Sequence, residues 1–322
     1  LDTSDHAPLV DEASLSIDAD GTITGSRRVF RWAKGRRIHF ALQCARRPDR
    51  VTFYGDGGAE QPAGTTQVSG KRLKMALHWN DAGAAPILLR CGISGVDVAG
   101  ARANLAAEAP HWDFDRTLRA ARQRWAEALG VVQVEGGSTD QRTIMASALY
   151  HAQLAPTLFS DVDGRYVGLD GQVHTVPRGG AAYSTWSLWD TYRALHPLLT
   201  LVAPDRTKSL IDDLIRQTQQ SPYGPLVWPL QGKETGTMIG WHGVVPLAEA
   251  QAKGIPADYA AAWPAIAKRS FDFKAHDKDN SLGREAYDKM GYVPADQVFE
   301  SVSRTQEYAY DDWASSHIAR AA

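Results

Sequence analysis

The sequence predicts an α+β multidomain chain: an N-terminal β-sandwich, a linker helix, and then a toroid of paired helices. Three observations carry this reading. From roughly residue 14 to 110, short β-rich runs alternate with turns bearing Gly, Asp and Pro. Around Pro110-His111-Trp112-Asp113 the pattern changes to a helical run without Gly or Pro that stops at Gly130. From residue 138 onward helical runs joined by long loops rich in Gly and aromatics predominate, the pattern of helices whose loops build a site at one end. The expected boundaries are therefore 1–110 for the sandwich, 111–137 for the linker helix and a short strand, and 138–322 for the toroid.

The strand signals are Ser14-Leu15-Ser16-Ile17, Arg36 to Leu42, Val51-Thr52-Phe53-Tyr54 and Leu73 to Leu77. Turns are expected at Asp20-Gly21, Asp56-Gly57-Gly58 and Asp81-Ala82-Gly83. Residues 27 to 50 hold nine basic side chains against one acid, Asp49, and are read as a solvated strand face rather than an anion site. Asp115 to Leu129 forms the linker helix with Gly130 at C′, and Val131 to Glu135 a short strand. Helices follow over Thr139 to Leu154, capped by Ser138 or Thr139, then over Ser187 to Val202, Lys208 to Gln219, Val244 to Lys253, Ala257 to Lys268 with an interruption at Pro264, and Gln297 to Ala322. No period of 20 to 50 residues repeats, so linear solenoids are not supported.

Composition narrows the function classes. The 322 residues carry 35 Lys and Arg against 37 Asp and Glu, a formal charge of −2, which gives no electrostatic reason for a nucleic-acid or anionic-membrane partner. No apolar run reaches eighteen residues. Ten Trp and eleven Tyr against eight Phe suit sugar-stacking surfaces as well as cores. The start, Leu1-Asp2-Thr3-Ser4-Asp5-His6, has neither an initiator Met nor the charged and apolar regions of a signal peptide, and the end, Ile318 to Ala322, lacks a helix stop. Both ends are expected to be cut. Cys44 and Cys91 sit in strand-like runs, where either a pair or two free thiols is open. No zinc-type Cys or His spacing occurs.

Three constellations carry chemistry. In Ser184 to Arg193, Leu188, Tyr192, Leu195, Leu199 and Val202 follow a helical core stripe, while Trp186, Asp190 and Arg193 fall off it. Asp190 reads either as a capping acid with Arg193 as its i, i+3 partner or as an acceptor of sugar hydroxyls beside Trp186 and Trp189. In Trp228 to His242, three glycines, two Trp, Glu234 and His242 form a loop able to approach a ligand; the bland alternative pairs Glu234 with Lys233. In Ser301 to Trp313, Arg304, Glu307 and Asp311 share one helix face and Val302, Ala309 and Trp313 another. Carboxylates held beside aromatics bind sugar hydroxyls or calcium, or work as acid and base.

Together these runs resemble glycoside hydrolase family 92, the calcium-dependent exo-acting α-mannosidases of bacteria. The resemblance rests on Phe159-Ser160-Asp161-Val162-Asp163-Gly164-Arg165-Tyr166, on Ser187 to Leu198, on Gly232-Lys233-Glu234-Thr235-Gly236-Thr237-Met238-Ile239-Gly240, and on Gly291-Tyr292-Val293-Pro294 followed by Glu307 to Trp313. It covers residues 110 to 322 strongly and the strand-rich part weakly. It implies an N-terminal β-sandwich, a linker helix and an (α/α)6 barrel, of which residues 138–322 would be the first part. It also implies inverting release of terminal α-linked mannose from glycans, assisted by a calcium ion whose ligands the sequence leaves open, in a periplasmic or secreted protein. By this resemblance Trp189, Asp190, Glu234, His242, Glu307 and Asp312 hold or brace the mannose.

The family's Thr-Glu-Gly-Asn-type motif with the general acid and its Gly-Asn-Asp/Glu-Asp-type motif with the base are not in the sequence, and both are expected beyond Ala322. Glu234 and Asp311 are the secondary candidates for acid or base. Lys233 and Gln306 depart from the family pattern without removing a carboxylate. The implied partners are an α-mannoside glycan and the remainder of the same polypeptide, needed to complete the barrel. The alternatives are a trehalase- or glucoamylase-like (α/α)6 glycosidase and a non-catalytic glycan-binding fragment.

Overall fold

The structure is a computed structural model that describes residues 10–30, 32–80, 83, 86–272, 281–320 and 322. The Leu1 to His6 end and the Asp81-Ala82 part of an expected turn lie outside the described residues. The chain divides into two compact units, one running to Gly130 and including Phe159–Tyr166, the other made of Val131–Leu158 and the residues from Val167 on.

The first unit contains strands β1 (Val10–Ile17), β2 (Ile23–Val29), β3 (Arg36–Cys44), β4 (Arg50–Tyr54), β5 (Gln67–Gly70), β6 (Lys74–His78) and β7 (Leu89–Ser94), then helices α1 (Val98–Glu108) and α2 (Phe114–Leu129). An antiparallel sheet has the order β5-β1-β2-β3-β7, and β4 pairs with β6 in a second, two-stranded sheet. Alternation places Ala13, Leu15 and Ile17 on one face, where they pack with Val29, Phe40, Phe53, Leu73 and Met75. That core lies between the two sheets, as a sandwich requires. Two members of the basic run form ion pairs: Arg28 reaches Asp11 at 2.6 Å and Arg37 reaches Glu12 at 2.7 Å.

Two expectations fail in this unit. Residues 98–108 are helix, not strand: Asp97 caps α1 by accepting the Gly100 N–H at 2.6 Å, and Ala101 and Leu105 cover Ala41 on the other sheet face. Gly130 ends α2 in the right-handed region, so it is not a left-handed C′ glycine. The Asp161 motif closes the unit: its carboxylate accepts from Ser94 Oγ at 2.7 Å and from Asn104 Nδ2 at 2.8 Å, and Asn104 also donates to the Ile93 carbonyl at 2.7 Å. Cys44 and Cys91 are free.

The second unit has α3 (Thr139–Ala152), β8 (Thr157–Leu158), β9 (Arg165–Val167, shared at the unit boundary), β10 (Val173–Thr175), β11 (Tyr183–Ser184), α4 (Leu188–Thr191), α5 (Leu195–Val202), α6 (Pro204–Gln220), β12 (Pro229–Leu230), β13 (Lys233–Glu234), α7 (Val244–Ala252), α8 (Tyr259–Phe271), α9 (Arg284–Met290) and α10 (Ser301–Ala319). The expected strand over Val131 to Glu135 is irregular chain. Ser138 caps α3 in a full capping box with Gln141.

Helix α6 buries Thr207, Leu210, Ile211, Leu214, Ile215 and Thr218, a stripe at i, i+3, i+4, i+7, i+8 and i+11. This stripe meets Val244, Leu247 and Ala248 of α7, Ala262 and Ile266 of α8, and Ala314 and Ile318 of α10 in one core. No interruption occurs at Pro264: its missing N–H costs one bond, and the buried Tyr259, Ala262, Ile266 and Arg269 hold α8 continuous. The long helix expected over Ser187 to Val202 instead breaks at Tyr192 to Ala194. Pro197 cannot donate to the carbonyl of Arg193 and its ring crowds that carbonyl, so the chain starts a new helix at Leu195. A toroid is not established by these elements; helices packed on a shared core are. No helix among the described residues is long and apolar enough to cross a membrane.

Candidate functional site

The loop carrying Glu234 begins as a two-residue hairpin. Pro229 pairs with Glu234 and Leu230 with Lys233, so Gln231 and Gly232 form the turn, with φ of 50° and 73°. Two positive φ values in succession define a turn that favours Gly, and a Cβ at Gly232 would also lie 2.7 Å from the Val167 carbonyl. The Gln231 N–H donates to Ser184 Oγ and the Trp186 N–H to the Pro229 carbonyl, which fixes the hairpin beside β11.

Glu234 turns inward from this hairpin. Its carboxylate accepts the N–H groups of Val227 and Trp228 at 2.9 Å and of Gly236 at 3.0 Å. Burial pushes its pKa up, against these three donors, which hold it down. The carboxylate thereby organises the loop, and the alternative pair with Lys233 does not form. With both oxygens engaged by backbone, Glu234 is not placed as a general acid or as a free sugar ligand.

The loop ends at Gly240, Trp241 and His242. Trp241 is fully buried, stacked on Tyr308 at 5.4 Å and flanked by the guanidinium groups of Arg269 at 5.1 Å and Arg284 at 4.8 Å. Burial lowers the Arg269 pKa to about 10. Asp311 of α10, with no exposed surface, accepts the Trp241 N–H at 2.7 Å on Oδ2 and sits 2.6 Å from His242 Nδ1 on Oδ1. This approach needs Gly240: φ is +80°, and a Cβ there would lie 2.5 Å from Asp311 Oδ2. Asp311, expected as a secondary candidate for acid or base, is thus a buried brace.

On the other side of the imidazole, Nε2 lies 2.5 Å from Glu307 Oε2, ion-pair distance although off hydrogen-bond alignment. Burial would depress the His242 pKa, but Asp311 and then Glu307 outweigh it and push it up to about 9. Glu307 is part-exposed and lines a cavity of about 390 Å3 with Tyr192, Arg193, Pro197, Val245, Glu249, Gln306 and Tyr310. That volume is in the range of small-molecule sites. Tyr192 packs on His242 at 4.6 Å and on Tyr310 at 5.4 Å, and Tyr310 stacks on Trp313 at 5.7 Å.

Of the residues expected to hold mannose, Glu307 lines this cavity and His242 lies directly behind it; the others are elsewhere. Trp189 and Asp190 are not among the lining residues, and Asp190 is exposed, while Arg193 lies against Tyr192 instead of pairing with it. Asp312 points away: both its oxygens accept from Arg284 at 2.8 Å, next to Trp241. Trp186 and Trp241, expected near the sugar, are core. Sequence reasoning does not find Tyr192, Arg193, Gln306 and Tyr310 as lining residues. Tyr192 reads as part of a core stripe only if the helix runs unbroken, and Pro197 is the signal that it does not.

Among the described residues no group of three or more His, Cys, Asp or Glu side chains is placed to hold a metal ion. A calcium ligand set is therefore not found in these residues.

A family model described as the glycosyl hydrolase family 92 catalytic domain matches residues 100–322. The chain belongs to glycoside hydrolase family 92. Solved family 92 structures share its architecture. The family GH92 alpha-mannosidase BT3965 from Bacteroides thetaiotaomicron is 29% identical with a TM-score of 0.87, and its complex with mannoimidazole gives 29% and 0.86; each match covers 97% of this chain and 41% of the other. The family GH92 inverting mannosidase BT2199 from the same organism is 28% identical with a TM-score of 0.87, over 97% of this chain and 43% of its own. The chain thus spans about two fifths of the length of these family 92 proteins. Among curated proteins none matches it.

Proposed function

We propose that the full-length gene product containing this chain is an exo-acting α-mannosidase, releasing terminal α-linked mannose from glycans with inversion and with the help of calcium. The observation that carries this is the family 92 match over residues 100–322, joined to solved neighbours named as α-mannosidases, one of them bound to mannoimidazole. The Glu307 cavity suits the holding of a sugar ring, because tyrosine rings, a guanidinium, Gln306 and two carboxylates surround a volume of the right size. In this reading Glu307 accepts sugar hydroxyls and Tyr192 and Tyr310 offer ring faces.

Inversion requires one carboxylic acid to protonate the leaving oxygen and one carboxylate to activate water from the opposite face. Glu234 and Asp311 have their oxygens engaged by backbone N–H groups and by His242, so neither takes either role. The isolated 322-residue chain is accordingly expected not to turn over mannosides. Calcium dependence belongs to the full-length product in this proposal.

The test is incubation of the full-length product with α-1,2-mannobiose, with calcium and with a chelator, followed by proton NMR of the anomeric signals. β-Mannose forming first, and a rate that falls on chelation, are expected. No mannose release in calcium contradicts the proposal. Preference for glucosides would favour a trehalase- or glucoamylase-like activity, and sugar binding without turnover a glycan-binding role.

A further inference from the structure

Asp311, His242 and Glu307 form a line from the interior to the cavity wall. Asp311 is fully buried, His242 is 1% exposed, and the Glu307 side chain is 21% exposed. The short contacts at both ring nitrogens constrain the protons. Asp311 already accepts the Trp241 N–H at 2.7 Å, and its other oxygen is 2.6 Å from Nδ1, so the proton in that contact belongs on the ring. At Nε2 the Glu307 carboxylate lies 2.5 Å away, off hydrogen-bond alignment, and an oxygen that close to an unprotonated ring nitrogen would be repelled. Either His242 carries a second proton or Glu307 is neutral.

Two features decide for the ring. A buried carboxylate at 2.6 Å favours the charged imidazole, whose pKa stands raised to about 9. Glu307 is the member of the three with water access, which leaves its carboxylate oxygens partly hydrated. The other charged or titratable groups nearby do not reverse this. Tyr310 of α10 and Tyr192 before α5 pack on the ring through their aromatic faces and edges. Glu249 of α7, which shares the cavity, is paired with Lys253 at 2.7 Å. Arg193 lies over the Tyr192 ring, and Arg269 of α8 and Arg284 of α9 lie against Trp241, with Arg284 held by Asp312.

We propose that Asp311 is a positioning residue which, through a doubly protonated His242, keeps Glu307 ionised and in one orientation on the cavity wall, so that Glu307 receives sugar hydroxyls and does not donate a proton. That the ligand is a sugar rests on the proposed function; the charge arrangement does not. A fixed acceptor has its orientation set before the ligand arrives, which lowers the cost of binding.

The test uses this chain labelled with nitrogen-15, following the His242 ring nitrogens by NMR from about pH 5.5 to about pH 10. Both nitrogens are expected to be protonated at about pH 7.5. In Glu307→Gln, a part-exposed position that leaves the core intact, the midpoint is expected to fall by about one to three pH units, the shift an adjacent charge exerts. Asp311→Asn is expected to lower it as well, and the Glu307 variant carries the test if Asp311→Asn does not fold. A neutral His242 at about pH 7.5, or a midpoint that Glu307→Gln leaves in place, overturns the proposal. If the full-length product neither binds nor cleaves mannosides while the titration behaves as expected, the function fails and the charge arrangement stands.

Discussion

His242 sets the charge balance of the site, and its protonation ties the site to stability. Its value of about 9 in the folded chain stands above the 6.5 of an unperturbed histidine. A raised value means that the stabilisation is fully present below about pH 6.5 and is lost as pH rises through about 9, with a size on the order of 3 kcal/mol. Urea midpoints of the wild type and His242→Gln should therefore converge between about pH 6 and about pH 9.5. A difference that stays constant across that range contradicts the assignment. His196 is the opposite case, a neutral core imidazole stacked on Trp186 and held down at about 4 by burial, so it does not titrate in that window. Gly240 gives a second prediction at this scale. Its alanine variant combines a φ of +80° with a Cβ 2.5 Å from Asp311 Oδ2, and should lose about 1–3 kcal/mol in a denaturant titration. A loss under about 0.5 kcal/mol would mean that Asp311 is not so closely approached.

At the scale of elements, both α6 and α10 are read as helices from sequence, but only the buried face of α6 is legible and that of α10 is not. The α6 stripe of Leu210, Ile211, Leu214 and Ile215 faces the core as its periodicity requires. Leu214→Ala should accordingly cost about 2–5 kcal/mol, while Leu201→Ala on α5, where the side chain is 74% exposed, should stay within about 0.5 kcal/mol. Similar midpoints for the two variants would contradict this packing. Helix α10 runs against its own pattern. Val302 and Trp313 are exposed, at 71% and 54%, whereas Arg304, Tyr308 and Asp311 are buried. The polar face can turn inward because each group meets a specific partner: Arg304 donates to the Phe299 carbonyl, Tyr308 to the Leu282 carbonyl, and Asp311 accepts from Trp241. The Leu282 and Trp241 partners come from distant loops and Phe299 from the turn before the helix, so no count of apolar spacing along residues 301–319 reveals them. For the same reason sequence reasoning puts Asp312 in the sugar site, although Arg284 engages it from another helix.

At the scale of the whole molecule, the strand-rich beginning, the change to helix and the family are legible because each rests on local pattern or on a short motif. The sheet order β5-β1-β2-β3-β7 and the insertion of Phe159–Tyr166 into the first unit are not, since pairing and docking join residues far apart in the chain. The cavity is of the same kind. Tyr192 comes from a helix break, Val245 and Glu249 from α7, and Glu307 and Tyr310 from α10, and only their assembly makes a site. The central claim is that an α-mannoside is held there by an ionised Glu307. It is tested most directly by steady-state kinetics of the full-length product and its Glu307→Gln variant on one α-mannoside. A hydrogen bond to a charged acceptor contributes about 1.5–3 kcal/mol, so kcat/KM is expected to fall by at least about tenfold; a variant within about twofold of the wild type would contradict the account.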